Sequence, residues 1–220
     1  MNFDLDPSDQ RLAELGSALA VEFAAGADER DRDRTFATAA YQRLRDEDLF
    51  GAVMSQDLGG GGARTVGWLA LMEALAQGDA SIALGFNMHY VATRLVSDLP
   101  NIEAATKKRV AGLVIGDGAL VSAPLSEPSS SSLLPATYLP SLTATRTDDG
   151  LRISGNKMFA SIWEASDYAF MFAKPDWTDN PLHVIGFLMP TDQPDAVEIT
   201  DNWDTLGMRS TRSNQAVSYT

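Results

Sequence analysis

The texture of this chain changes once, at Gly116-Asp117-Gly118, and that change constrains its fold more than any other feature. Before it, apolar residues recur at helical spacing. Leu12, Leu15, Leu19 and Phe23 follow the start signal Pro7-Ser8-Asp9, and Trp68, Leu71, Met72 and Leu75 share one side of a helix that begins near Arg64. A helix over 36–48 turns Tyr41 and Leu44 inward. Asp79 or Ser81 caps a buried helix running through Val96, and a shorter one spans 102–115. The charge run from Asp28 to Arg34 reads as a solvated helix face or loop. Gly59 to Gly62 reads as a flexible turn, and with no strand before it nothing marks a phosphate cradle.

After the Gly-Asp-Gly stop, short runs of Thr, Val, Ile and aromatics alternate between Gly, Pro, Asp and Asn, the pattern of antiparallel strands. Residues 142–146 and 151–153 flank Asp148-Asp149-Gly150 as a hairpin. Further strands are predicted at 168–173, 184–189, 197–200 and 216–219. The fold class is therefore α+β. An all-α domain covers 1–117, and an antiparallel, barrel-like β domain covers 118–220. That second domain ends inside a strand, which reads as incomplete.

Composition removes several functions. The 17 Lys and Arg against 30 Asp and Glu give a net charge of −13, so no basic stripe is available for nucleic acid or for an anionic membrane surface. The chain has no Cys, hence no disulfide, thiolate nucleophile or thiolate metal site. His89 and His183 fall on different predicted elements, which disfavours a His-based metal site or a Ser-His-Asp triad, so no metal is expected. His89, on an apolar helix beside Met88 and Tyr90, reads first as a satisfied core residue. Met1 to Asp6 lacks the basic start and apolar run of a signal peptide, and the apolar stretch from Ile82 to Val96 is broken by Asn87, His89 and Arg94. A cytoplasmic location is expected.

Three words in the second half carry the chemistry. They are Ser126-Glu127-Pro128, then Gly155 to Ser161 (Gly-Asn-Lys-Met-Phe-Ala-Ser), then Leu206-Gly207-Met208-Arg209. A flat ligand with polar atoms along one edge needs an apolar wall and a few N–H or O–H donors, and a strand breaking into a polar turn supplies both. Leu120 to Pro128 has that form. In this order, behind a helical half, the words resemble the middle β domain of acyl-CoA dehydrogenases. There the comparable segment ends in Thr-Glu-Pro, two variable residues and Gly-Ser-Asp.

The resemblance implies FAD as cofactor. It places Leu125 and Ser126 at the flavin pyrimidine, Phe159 beside the ring, Ser161 at the edge near N5, and Ser132 on the bound thioester. Ser126 keeps the hydroxyl of the family Thr, and Phe159 keeps the aromatic face of the family Trp without its N–H. Ser131 and Leu133 depart from the family Gly and Asp. Leu206 to Arg209 is read as a turn between strands.

The activity implied is α,β-dehydrogenation of an acyl-CoA thioester in fatty acid metabolism, with electrons passing to an electron-transfer flavoprotein and the chains forming a homo-oligomer when the family's C-terminal helical domain is supplied. The family's catalytic base lies in a C-terminal helical domain beyond Thr220. No Glu here is nominated in its place, because Glu127 belongs to a turn and Glu73 and Glu103 lie on predicted helix surfaces. A truncated product, a split gene or a fragment of a longer enzyme accounts for the ending. Two alternatives stand beside this reading: a flavin-dependent monooxygenase of the same superfamily, which needs no α-proton base, and a binding or assembly subunit that has lost flavin.

Overall fold

The computed structural model describes residues 5–128, 140–180 and 182–219. It divides into two units, Met1–Val121 with Thr205–Thr211, and Ser122–Asp204 with Arg212–Thr220.

The first unit is helical. Its elements are α1 (Pro7–Ala24), α2 (Ala27–Asp33), α3 (Thr38–Asp46), α4 (Thr65–Gly78), α5 (Ala80–Asp98) and α6 (Ala104–Ala111), the last passing into a π turn at Gly112–Gly116. Asp6 caps α1 by accepting the N–H of Ser8 and Asp9, and Asp79 caps α5 by accepting those of Ser81 and Ile82. Of the two expected caps for α5, the carboxylate does the work. Leu19 and Phe23 of α1, Leu44 of α3, Leu71 and Leu75 of α4 and Phe86 of α5 are buried in its core. Helices α1 and α4 approach closely because small residues line the contact. A Cβ at Gly67 would strike Asp9, one at Gly78 would strike the Ala20 carbonyl, and one at Gly16 would lie 2.9 Å from Leu71 Cδ1.

The glycine turn at 59–62 is held rather than free. Its four amides donate to the carbonyls of Gln56, Ser55, Gly51 and Met54 in order, at 2.9, 3.0, 3.1 and 2.8 Å. Every N–H that could cradle a phosphate is spent on the protein.

The charge run expected to be solvated forms α2 and contributes two pins. Arg30 meets Asp79 at 2.9 Å and also donates to the Ala25 carbonyl at 2.9 Å. Asp31 receives Arg209 of the third word. The Arg209 guanidinium reaches Asp31 Oδ2 at 2.7 Å and its carbonyl at 2.7 Å, while the Arg209 N–H reaches Oδ1 at 2.8 Å. Leu206 to Arg209 does link two strands of the second unit, but it packs as part of the helical unit.

The second unit is a mixed sheet of β1 (Val121–Ser122), β2 (Thr143–Thr147), β3 (Gly150–Ala160), β4 (Tyr168–Pro175), β5 (Ile185–Pro190), β6 (Val197–Thr200) and β7 (Asn214–Tyr219). The strand order is β1-β4-β2-β3-β7-β6, with β5 off this path and paired antiparallel to β4. The α+β class and the order of helices before strands are as expected. The purely antiparallel expectation needs one correction, since β2 runs parallel to β4, with Thr143 opposite Lys174. The β2–β3 hairpin turns through Asp148 and Asp149, and Gly150 opens β3 at φ 147°, where a side chain would be strained. Leu142, Ala144, Ile153, Ala160, Trp163 and Met171 form the core of this unit.

Candidate functional site

Strand β3 runs through the whole second word and contains the feature that shapes the site. Along it Ile153 and Lys157 face inward, so strict alternation would turn residue 159 inward too. It does not. Lys157 pairs with Ala216 of β7 and Ala160 with Asn214, so two residues on β3 oppose one on β7. This bulge puts Phe159 at φ 56°, in the left-handed region, and Ala160 takes the buried place. Phe159 is left 47% exposed. A phenylalanine in a conformation this unfavourable for a bulky side chain, facing outward, is costly unless the aromatic is wanted there.

The first word lies beside it. The Ser126 carbonyl accepts the Met158 N–H at 2.9 Å in an isolated antiparallel bridge, so Ser126 sits one residue from Phe159 across the gap. Leu125 and Ser126 are half-buried. Among the described residues the Ser126 hydroxyl has no hydrogen-bond partner. Ser161 is buried just beyond the bulge. Its hydroxyl stands 2.7 Å from that of Ser213, and its carbonyl accepts the Ser122 hydroxyl at 2.8 Å. Of the five residues expected to contact cofactor or substrate, the structure thus brings Leu125, Ser126, Phe159 and Ser161 to one end of the sheet. Ser132 lies outside the described residues.

Behind the wall is a buried ion pair that sequence reasoning missed. Lys157 Nζ meets Glu127 Oε1 at 2.6 Å, the two side chains being 3% and 1% exposed. Burial pushes the Glu127 carboxyl up. The Lys157 ammonium and the Ser141 hydroxyl and N–H, each at 2.5 Å from Oε2, outweigh it and hold the group below its usual range. Burial also lowers Lys157, against the pull of Glu127. The second residue of Ser-Glu-Pro and the third of Gly-Asn-Lys are therefore one clamp joining the two words. The signal in the sequence was a Glu in a turn and a Lys thirty positions on. Nothing local marks such a pair.

His89 fulfils its structural reading. It is wholly buried. Its Nδ1 accepts the Val121 N–H at 3.0 Å, which fixes Nε2 as the protonated nitrogen donating to the Phe50 carbonyl at 2.9 Å. Burial lowers its pKa to about 4. Among the described residues no group of three or more His, Asp or Glu is placed to hold a metal ion, and no helix is long and apolar enough to cross a membrane.

Comparison with known proteins fits this geometry. Residues 10–104 match the family model for the acyl-CoA dehydrogenase N-terminal domain. YdbM of Bacillus subtilis, an acyl-CoA dehydrogenase by name, is 27% identical over 96% of this chain and 54% of its own length. L-evernosamine nitrososynthase of a Micromonospora species is 24% identical over 97% of this chain and 50% of its own. The FMN-bound structure of TdsC from Paenibacillus sp. A11-2, a dibenzothiophene monooxygenase, superposes with a TM-score of 0.81 at 25% identity, covering 95% of this chain and 51% of TdsC. The chain spans about half the length of the curated relatives it matches. The N-terminal match, the near-complete coverage of this chain and the shared fold agree: residues 10–104 match the acyl-CoA dehydrogenase N-terminal domain, and the chain is similar over nearly its whole length to proteins of the acyl-CoA dehydrogenase superfamily.

Proposed function

We propose that this chain carries the flavin-facing wall of a flavin-dependent oxidoreductase. The observation that carries the reading is the bulge in β3, which turns Phe159 outward next to the segment of Ser126, whose hydroxyl has no hydrogen-bond partner among the described residues. The fit to a flavin is chemical. Phe159 offers a face for the ring, and Ser126 and Leu125 border its polar edge. Ser161 lies just beyond the ring face, its hydroxyl 2.7 Å from that of Ser213 and 3.4 Å from the Phe159 carbonyl to which it donates. Bound there, a flavin would supply hydride acceptance or, once reduced, reaction with oxygen. The Glu127–Lys157 clamp holds the two donor-bearing segments in register, so that the wall is set before a ligand arrives.

For the reaction we favour monooxygenation with FMN. Support comes from FMN-bound TdsC, a dibenzothiophene monooxygenase, and from the nitrososynthase relative. Acyl-CoA dehydrogenation with FAD, acyl-CoA as substrate and an electron-transfer flavoprotein as acceptor is the second reading, favoured by YdbM and by the N-terminal domain match. The test starts by titrating the purified chain with FMN and, separately, with FAD, and reading the visible flavin bands. The bound flavin is then challenged two ways. Anaerobic bleaching by an acyl-CoA panel supports dehydrogenation. Oxygen uptake linked to a sulfur- or amine-bearing substrate, with reduced flavin supplied, supports monooxygenation. Failure to bind either flavin would overturn the whole reading.

A further inference from the structure

Phe159 is not alone at the bulge. The Trp203 ring packs against it edge to face, with centroids 5.8 Å apart and planes at 77°. Two aromatic planes that meet near a right angle form a corner. A flat ring laid on one of them meets the edge of the other, which is the geometry aromatic pairs prefer.

Trp203 lies in the irregular connection after β6, where a large side chain needs something to hold it. Asn214 supplies that. It is 1% exposed, opens β7 and stands opposite Ala160 at the bulge. Its Oδ1 accepts the N–H of Asn202 at 3.2 Å and of Trp203 at 3.0 Å, and Asn202 returns the contact by accepting the Gln215 N–H at 3.1 Å. Asn214 Nδ2 is buried without a partner among the described residues. An orphaned buried donor costs stability. An apolar side chain would avoid the cost, but it would release the two amides that fix Trp203.

We propose that Trp203 is a second aromatic residue of the flavin site and that Asn214 is the positioning residue that holds it against Phe159. This inference rests on the flavin reading above and adds to it a residue that lies outside the three sequence words which carry that reading.

The test is flavin titration of the 220-residue chain in five forms: wild type, Trp203→Ala, Trp203→Phe, Asn214→Leu and Asn214→Asp. Each is first shown to be folded by circular dichroism. Trp203→Ala is expected to raise Kd about fivefold, the scale of one lost aromatic pair, and Trp203→Phe to stay within about twofold of wild type. Bound-flavin emission should rise in Trp203→Phe, because an indole in contact quenches a flavin more strongly than a phenyl ring does. Asn214→Leu should weaken binding as Trp203→Ala does, whereas Asn214→Asp, which keeps the acceptor, should stay within about twofold.

Unchanged affinity and emission in both Trp203 variants would overturn the role of Trp203. Equal loss in Asn214→Leu and Asn214→Asp would overturn the positioning role of Asn214. Absence of flavin binding by the wild type is a different result, which overturns the flavin reading and this inference with it.

Discussion

His89 makes the helical unit acid-sensitive in a way that can be worked out from its surroundings. The imidazole is neutral in the fold, accepting from Val121 through Nδ1 and donating to Phe50 through Nε2, with the Phe86 ring stacked on it at 5.7 Å. Burial lowers its folded pKa to about 4, against 6.5 when unfolded. The sign follows from linkage. A proton binds the unfolded chain at pH values where the folded chain refuses it, so stability falls as pH drops below 6.5 and levels off near 4. Between pH 7 and pH 5 the loss from this one group is about 2 kcal/mol, since each unit of difference in pKa is worth about 1.4 kcal/mol. Other groups titrate in the same range, so the informative quantity is a difference between variants.

Urea unfolding followed by far-ultraviolet circular dichroism, which the helices dominate, is run at pH 7 and pH 5 on the wild type and on His89→Gln. The variant is expected to lose about 1–2 kcal/mol at pH 7 for an imperfectly replaced hydrogen bond. It should then lose about 2 kcal/mol less than the wild type on going to pH 5. Parallel pH profiles for the two proteins would refute the assignment of a neutral, buried His89.

Other residues give sharper or opposite signs. Lys157→Ala leaves Glu127 buried without its ammonium partner and should cost about 3–5 kcal/mol in the β unit by denaturant unfolding, while the double change Glu127→Leu with Lys157→Met should recover much of it. Phe159→Asn, at a position where Asn tolerates φ 56°, should keep or raise stability by up to about 1 kcal/mol and weaken flavin binding, so that stability and affinity move apart. Asp31→Ala should cost about 1–3 kcal/mol in the helical unit, read by denaturant unfolding, because it strips the Arg209 guanidinium and N–H of a shared carboxylate.

The helices were legible because their information is local. A cap, an apolar stripe and a glycine stop lie within one stretch of chain, and α1, α4 and α5 follow those signals within a few residues. Strand β6 was predicted at the bounds it has, and the hairpin turn between β2 and β3 was read from its Asp-Asp-Gly. What escaped depends on partners far away in sequence. Asp31 looked like one charge in a solvated run until Arg209 arrived from 178 residues on. The parallel pairing of β2 with β4 has no local mark at all. The same holds for Glu127, which read as a turn residue, and Lys157 of the second word, which turn out to be one buried pair.

Phe159 shows why candidate residues could be proposed from the sequence while their arrangement could not. Period-two reasoning on Ile153 and Lys157 sends position 159 into the core, where an ordinary strand phenylalanine belongs. One extra residue between Lys157 and Ala160 reverses that and hands the core place to Ala160. The reversal is only stable because β7 tolerates the mismatch. Asn214 faces the bulge and spends its side-chain carbonyl on the neighbouring loop rather than on a strand partner, and the Ser213 hydroxyl meets that of Ser161. The aromatic wall is therefore a property of two strands and a loop read together. A segment that matches the family word but lacks a bulge-compatible partner at positions 213–214 should bury its aromatic and lose the wall, which a register-restoring deletion of Met158 would test. Loss of flavin binding with the sheet still folded is the expected result, and retained binding would show that the bulge is dispensable.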